Sequence, residues 1–198
     1  MYKNQMTLQR LTSFLLLVVA VLVFVYSLGL MTDIYDSLYL ISSYDPVWDP
    51  LFYVEGSEIY FDMQDFNRQL TTAGIILILS AVSLFLFKTH DRRKYYIANY
   101  ITVGVNAILN IMVVFWMRTE VIKYKTQFTN IDFKRLREVA GMLNQKVIAS
   151  TFWFDISEVV LGAVLGATIV SIINIVWKTA LMIGERKLVK EGLEASHG

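Results

Sequence analysis

The stretch Leu11–Met31, LTSFLLLVVAVLVFVYSLGLM, runs through 21 residues without a charge and decides the fold. Its polar groups are side-chain hydroxyls such as those of Thr12, Ser13 and Ser27. About 20 apolar residues in helical form cross the roughly 30 Å hydrocarbon core of a bilayer. Lipid offers the backbone no hydrogen-bond partner, so such a stretch reads as a helix. Lys3 and Arg10 precede it, as a basic region precedes a signal peptide's apolar core. The apolar run is longer than that core, and no A-x-A-like site follows, so a retained helix is expected.

Three more blocks of this kind occur at about 71–87, 95–117 and 156–177. A soluble domain would also be about half apolar, so the 56% hydrophobic content matters less than its segregation into these blocks. The expected fold class is an all-α membrane protein, one membrane domain over 1–198 with four transmembrane helices. Connections 32–70 and 118–155 are long enough to carry structure of their own.

Lys and Arg near the membrane set orientation. Lys3 and Arg10 lie before the first helix, Lys88, Arg92, Arg93 and Lys94 between the second and third, and Lys178, Arg186, Lys187 and Lys190 after the fourth. Connection 32–70 holds one basic residue, Arg68, against eight acids from Asp33 to Asp65. Both termini are therefore expected in the cytoplasm and connection 32–70 outside. Four helices then place 118–155 outside too, against the pull of Arg118, Lys123, Lys125, Lys134, Arg135, Arg137 and Lys146. Aromatic residues agree with these depths: Tyr95, Tyr96 and Tyr100 at the inner start of the third helix, Trp116 at its outer end, and Phe152, Trp153 and Phe154 at the outer start of the fourth.

In the first outer loop, Asp45-Pro46 and Asp49-Pro50 bracket Trp48 in an irregular, turn-rich element. Leu51–Val54 and Ile59–Phe61, separated by Glu55-Gly56-Ser57-Glu58, read as a short hairpin, with a short helix as the alternative. Trp48, Phe52, Tyr53, Tyr60 and Phe61 make this loop too aromatic for a solvated linker and suggest a small cap packed on the membrane face or against a partner. In the second, Asn130 is placed to cap a helix from about Ile131, with Asp132 in its first turn. Leu136, Val139, Ala140, Leu143 and Val147 give that helix an apolar stripe, the outer amphipathic helix.

Within the spans, Asn99, Thr102, Asn106 and Asn110 share one helical face and are expected to bond to a neighbouring helix. Gly162 and Gly166 form a G-x-x-x-G pair beside Ala163, Ala167, Ser171 and Asn174, which permits close helix contact within or between chains. The first span, nearly uniform in Leu, Val and Phe, is expected to face lipid or an apolar partner. Asp155 and Glu158 stand one turn apart at the outer start of the fourth span, where the helix dipole favours carboxylates, and Arg118 at the same level could pair with Glu158. Glu158 is the only acid or base read as approaching membrane depth.

Chemistry is sparse. The absence of cysteine excludes disulfides, thiolate metal sites and a Cys nucleophile. Neither His90 nor His197 falls in a span, and no metal-binding or phosphate-binding motif is present. No enzyme activity, metal, cofactor or nucleic-acid partner is expected. The lack of cysteines and of N-x-S/T sequons fits a bacterial plasma-membrane protein. The expected role is a non-catalytic accessory or scaffold subunit of a membrane assembly, in contact with lipid and with other subunits or itself. The alternative is a small oligomeric transporter or channel with its path along the Asn106/Asn110 face.

Overall fold

A computed structural model describes residues 2–87, 89 and 96–197. The chain forms helices α1 (Tyr2–Gly29), α2 (Thr32–Leu38), α3 (Ile59–Leu86), α4 (Tyr96–Thr129), α5 (Phe133–Met142) and α6 (Phe152–His197), with a 3-10 turn at Ile41–Ser43. Four of them, around α1, α3, α4 and α6, are long and apolar enough to cross a membrane. They close into a ring in which α1 neighbours α3 and α6, and α4 neighbours the same two. Expectations attached to Lys88, His90, Arg92, Arg93, Lys94 and Tyr95, and to the side chains of Tyr96, Lys190 and His197, lie outside the described residues.

A seven-residue repeat organises the ring. On α1, Gln5, Gln9, Thr12, Leu16, Val19, Val23 and Tyr26 are buried at alternating steps of four and three, a series that Leu30 continues just beyond its end. On α3, Met63, Leu70, Leu77 and Leu84 recur every seventh residue, each fully buried. On α4, Asn99, Val103, Asn106, Asn110, Val114, Met117, Val121, Tyr124 and Phe128 continue the pattern. Steps of this kind keep one narrow stripe facing its neighbours and give the knobs-into-holes packing of four-helix bundles. The first span is thus apolar on both sides, one packed against its neighbours and the other turned outward. One stripe of α1 lines the core while Leu11, Phe14, Val18, Leu22 and Val25 point outward.

Glycines set the closest approaches. A Cβ on Gly74 would stand 2.9 Å from the Phe24 Cα, so α1 and α3 touch backbone to backbone there. The Trp153 ring covers Gly29, where a Cβ would come within 2.3 Å of ring carbons.

The helices outrun the apolar blocks. Rising 1.5 Å per residue, the 34 residues of α4 reach about 51 Å and the 46 of α6 about 69 Å. Hydropathy marks only the apolar middle of each helix, whereas the heptad stripe carries α4 on to Phe128 and begins on α1 at Gln5. Connections 32–58 and 130–151 sit together at one end of the bundle, the loop end. The start of α1, the end of α3 and the start of α4 share the other, the terminal end.

At the loop end the expected hairpin is absent: no strand occurs among the described residues, and 50–58 folds as successive turns. Ile59, Tyr60 and Phe61 instead form the first turn of α3, where Ile59 and Tyr60 are buried. Alternating apolar residues too few to pair are absorbed by the long helix that follows. Gly56, at φ 86°, makes the turn ahead of it. Helix α5 is capped by Asp132, not Asn130: the Asp132 carboxylate accepts from the backbone N–H of Lys134 and Arg135 at 2.9 and 3.0 Å. It stops at Met142 because Asn144 takes φ 54°. The Gln145 N–H then returns to the Ala140 carbonyl at 2.8 Å and the Asn144 N–H to Gly141 at 3.2 Å, a Schellman closure with asparagine in place of glycine. Leu136, Val139 and Ala140 are buried, so α5 packs on its own protein, while Leu143 and Val147 lie beyond its end.

Candidate functional site

The polarity of the heptad stripe changes along the bundle. Its middle is apolar (Leu16, Val23, Leu77, Val164), and its loop end is aromatic, with Phe66 packed against Trp116 and Tyr124 at ring-centroid distances of 5.4 Å each. Its terminal end is polar. There the Gln5 amide donates to Asn174 Oδ1 at 3.4 Å, and the Asn174 amide donates to Gln9 Oε1, which ties α6 to α1. The Tyr100 and Thr179 hydroxyls meet at 2.7 Å, which ties α4 to α6. Lys178, only 1% exposed, donates from Nζ to the Thr89 carbonyl at 3.1 Å and so joins α6 to the segment after α3.

Lys178, counted from the sequence among the basic residues of the C-terminal end, is enclosed in the bundle. The side chain of Glu158, read from the sequence as lying near the edge of the fourth span, is 60% exposed. A buried ammonium costs several kcal/mol of solvation unless hydrogen bonds replace its water. One signal pointed to this cluster: Gln5, Gln9 and Thr12 share heptad spacing. Reading α1 from Leu11 cut off both glutamines.

One to two turns deeper, Asn106 Nδ2 donates to Ser80 Oγ at 3.0 Å and Asn110 Nδ2 to Asn106 Oδ1 at 3.1 Å, so a buried ladder joins α4 to α3. Asn99 is buried on the same stripe. Thr102 is half-buried, and its hydroxyl bonds back to Ala98 within α4. On α6, Ala167, Ser171 and Asn174 face the core and Ala163 is half-buried. Gly162 and Gly166 point away from it: a Cβ at either would meet nothing within 4 Å. The G-x-x-x-G pair therefore makes no tight contact within the chain.

At the loop end, Arg118 Nε lies 3.7 Å from Glu158 Oε1. Asp155 pairs instead with Lys125, at 2.6 Å, and accepts from Thr151 Oγ1 at 2.8 Å. Lys123 pairs with Glu120 and Arg135 with Glu138. Four of the seven basic residues of 118–155 thus have carboxylate neighbours. Asp33 Oδ2 accepts from the Trp153 N–H at 3.2 Å and helps start α6. Of the cap aromatics, Trp48 is 83% exposed and Phe61 half exposed, Phe52 and Tyr53 are half-buried, and Tyr60 is buried against Tyr39. The Tyr53 hydroxyl donates to Glu58 at 2.6 Å, and that bond pushes the phenol up to about 12.

Chemically, amides, hydroxyls and one ammonium can fix the register of helices, because a buried polar group is satisfied in only one alignment. Among the described residues no group of three His, Asp or Glu is placed to hold a metal ion. No protein-family model matches this chain, and neither a curated protein nor a solved structure is detectably similar to it.

Proposed function

We propose that this chain is a non-catalytic accessory or scaffold subunit of a plasma-membrane assembly, with both termini in the cytoplasm and the loop end outside. The observation that carries the reading is the bonding of most of the stripe's amides to one another within the chain. Asn106, Asn110, Asn174, Gln5 and Gln9 bond to one another or to Ser80, and apolar side chains fill the axis between them. A bundle closed in this way is suited to presenting surfaces. Two such surfaces lie open, the Gly162/Gly166 face of α6 and the Trp48–Phe61 side of the cap. Purification in mild detergent tests the role. A stoichiometric companion, lost from Trp48→Ala or Gly166→Leu protein that still folds, is the expected result; a chain recovered alone as a stable monomer contradicts it.

Lys178 favours a second reading, a small transporter or channel, because ionisable groups at membrane depth commonly mark transport paths. Single cysteines at Asn106 and Asn110 separate the two. Protection from a water-soluble thiol reagent fits the closed bundle, whereas labelling fits an aqueous path.

A further inference from the structure

We propose that the cleft between α2 and the segment 143–148 binds the head group of a phospholipid of the ethanolamine type. The cleft encloses about 490 Å³ at the loop end. Its two walls are pinned together where the Ser37 hydroxyl lies 2.5 Å from the Ile148 carbonyl oxygen. One wall carries Asp36 and the other Lys146. Among the described residues neither makes an ion pair or a side-chain hydrogen bond, although pairs such as Lys125–Asp155 and Arg118–Glu158 form at the same end. An anion and a cation left open in one cleft complement a ligand that bears both charges.

The aromatic wall narrows the choice. Tyr35 and Tyr39 stack at 4.7 Å with planes 21° apart, and each is about half exposed. Their faces attract a cation, so the ammonium belongs beside Asp36 and the phosphate beside Lys146. A primary ammonium can donate hydrogen bonds to the Asp36 carboxylate, which a choline head group cannot do. Apolar side chains extend the cleft: Leu40 and Ile148 on its rim are exposed and offer a track for an acyl chain. Depth agrees as well. Tyr35 stands one helical turn beyond Met31, where the apolar run of the first span ends, and this is the level at which tyrosines meet head groups.

The test uses the full chain in phosphatidylcholine nanodiscs doped with spin-labelled phosphatidylethanolamine, phosphatidylglycerol or phosphatidylcholine. The protein-restricted fraction of each label is read by electron paramagnetic resonance. A severalfold excess for phosphatidylethanolamine is expected, lowered to the phosphatidylcholine level by Asp36→Asn and by Lys146→Gln. Both side chains are exposed, so an unchanged melting temperature shows that the fold is intact. Equal restriction of the three lipids would overturn the proposal, as would an excess that both variants retain. An excess for phosphatidylcholine would leave only the tyrosine faces at work and overturn the ethanolamine assignment. Excess soluble phosphoethanolamine should leave the lipid label in place; complete release would replace the lipid by a free zwitterion.

Discussion

The Lys178 ammonium donates to the Thr89 carbonyl at 3.1 Å with both residues closed off from the surface of the bundle. Lys178→Ala removes the donor and leaves a space the length of the lysine stem, whereas Lys178→Met fills most of that space. An unsatisfied buried carbonyl costs roughly 1–3 kcal/mol, and a large-to-alanine change in a core about 2–5 kcal/mol. Thermal unfolding in detergent should therefore show a clear loss for Lys178→Ala and a smaller one for Lys178→Met. Equal stability of wild type and both variants would remove Lys178 from the account of the terminal end.

Glycine substitutions should divide by position. Gly74→Ala forces a methyl to within 2.9 Å of the Phe24 backbone, and backbone cannot turn aside as a flexible side chain can. Overpacking of this kind costs about 1–3 kcal/mol. Gly162→Ala and Gly166→Ala add a methyl to open space and should leave the monomer's melting temperature unchanged. Any effect of the second pair should instead appear as altered association between chains or with a partner.

Arg118 and Glu158 approach to 3.7 Å with more than half of each side chain exposed. Exposed pairs typically couple by less than about 1 kcal/mol. Reversing either charge should lower stability slightly, and reversing both should restore it. Additive losses in the double variant would show that the two do not interact.

The pattern that makes a bundle was present in the sequence, but hydropathy and heptad spacing report different parts of it. Apolar blocks located the four helices long and apolar enough to cross a membrane, because a charge within lipid is costly wherever the helix sits. They missed the ends of α1 and α4, where the same stripe continues with Gln5, Gln9, Tyr124 and Phe128 in place of Leu and Val. Asn106 and Asn110 were legible because two amides one turn apart in an apolar helix need partners. Lys178 was not, because a lysine one residue past an apolar block looks the same in sequence whether it is solvated or enclosed. The outward turn of Gly162 and Gly166 was equally hidden, since small-residue spacing states that a helix can be approached and not by what. At the loop end, Asn144 carried the stop signal for α5, but a stripe reaching Val147 argued for a longer helix.

The phenol of Tyr53 gives a pH test of the loop-end cap. Its bond to the Glu58 carboxylate raises it to about 12, above the ordinary value near 10. A group raised in the folded state contributes its stabilisation below the unfolded value and loses it as pH rises through the folded one. The contribution should therefore be complete below about pH 10 and gone above about pH 12. In an absorbance titration Glu58→Gln should shift one tyrosine back towards the ordinary range, and the shift should be absent when Tyr53→Phe is the parent. An unshifted titration in Glu58→Gln would show that the bond does not persist in solution.

A bundle with both termini on the cytoplasmic side requires the basic connection after α4 to cross the membrane. Lys134 on α5 and Lys187 near the end of α6 report on opposite ends of the bundle, and the chain has no native cysteine to interfere. The direct measurement is labelling of Lys134→Cys and Lys187→Cys, each alone, by a membrane-impermeant maleimide in intact cells and again after permeabilisation. The account predicts that Lys134→Cys reacts in intact cells and Lys187→Cys only after permeabilisation. Labelling of Lys134→Cys only after permeabilisation would contradict it.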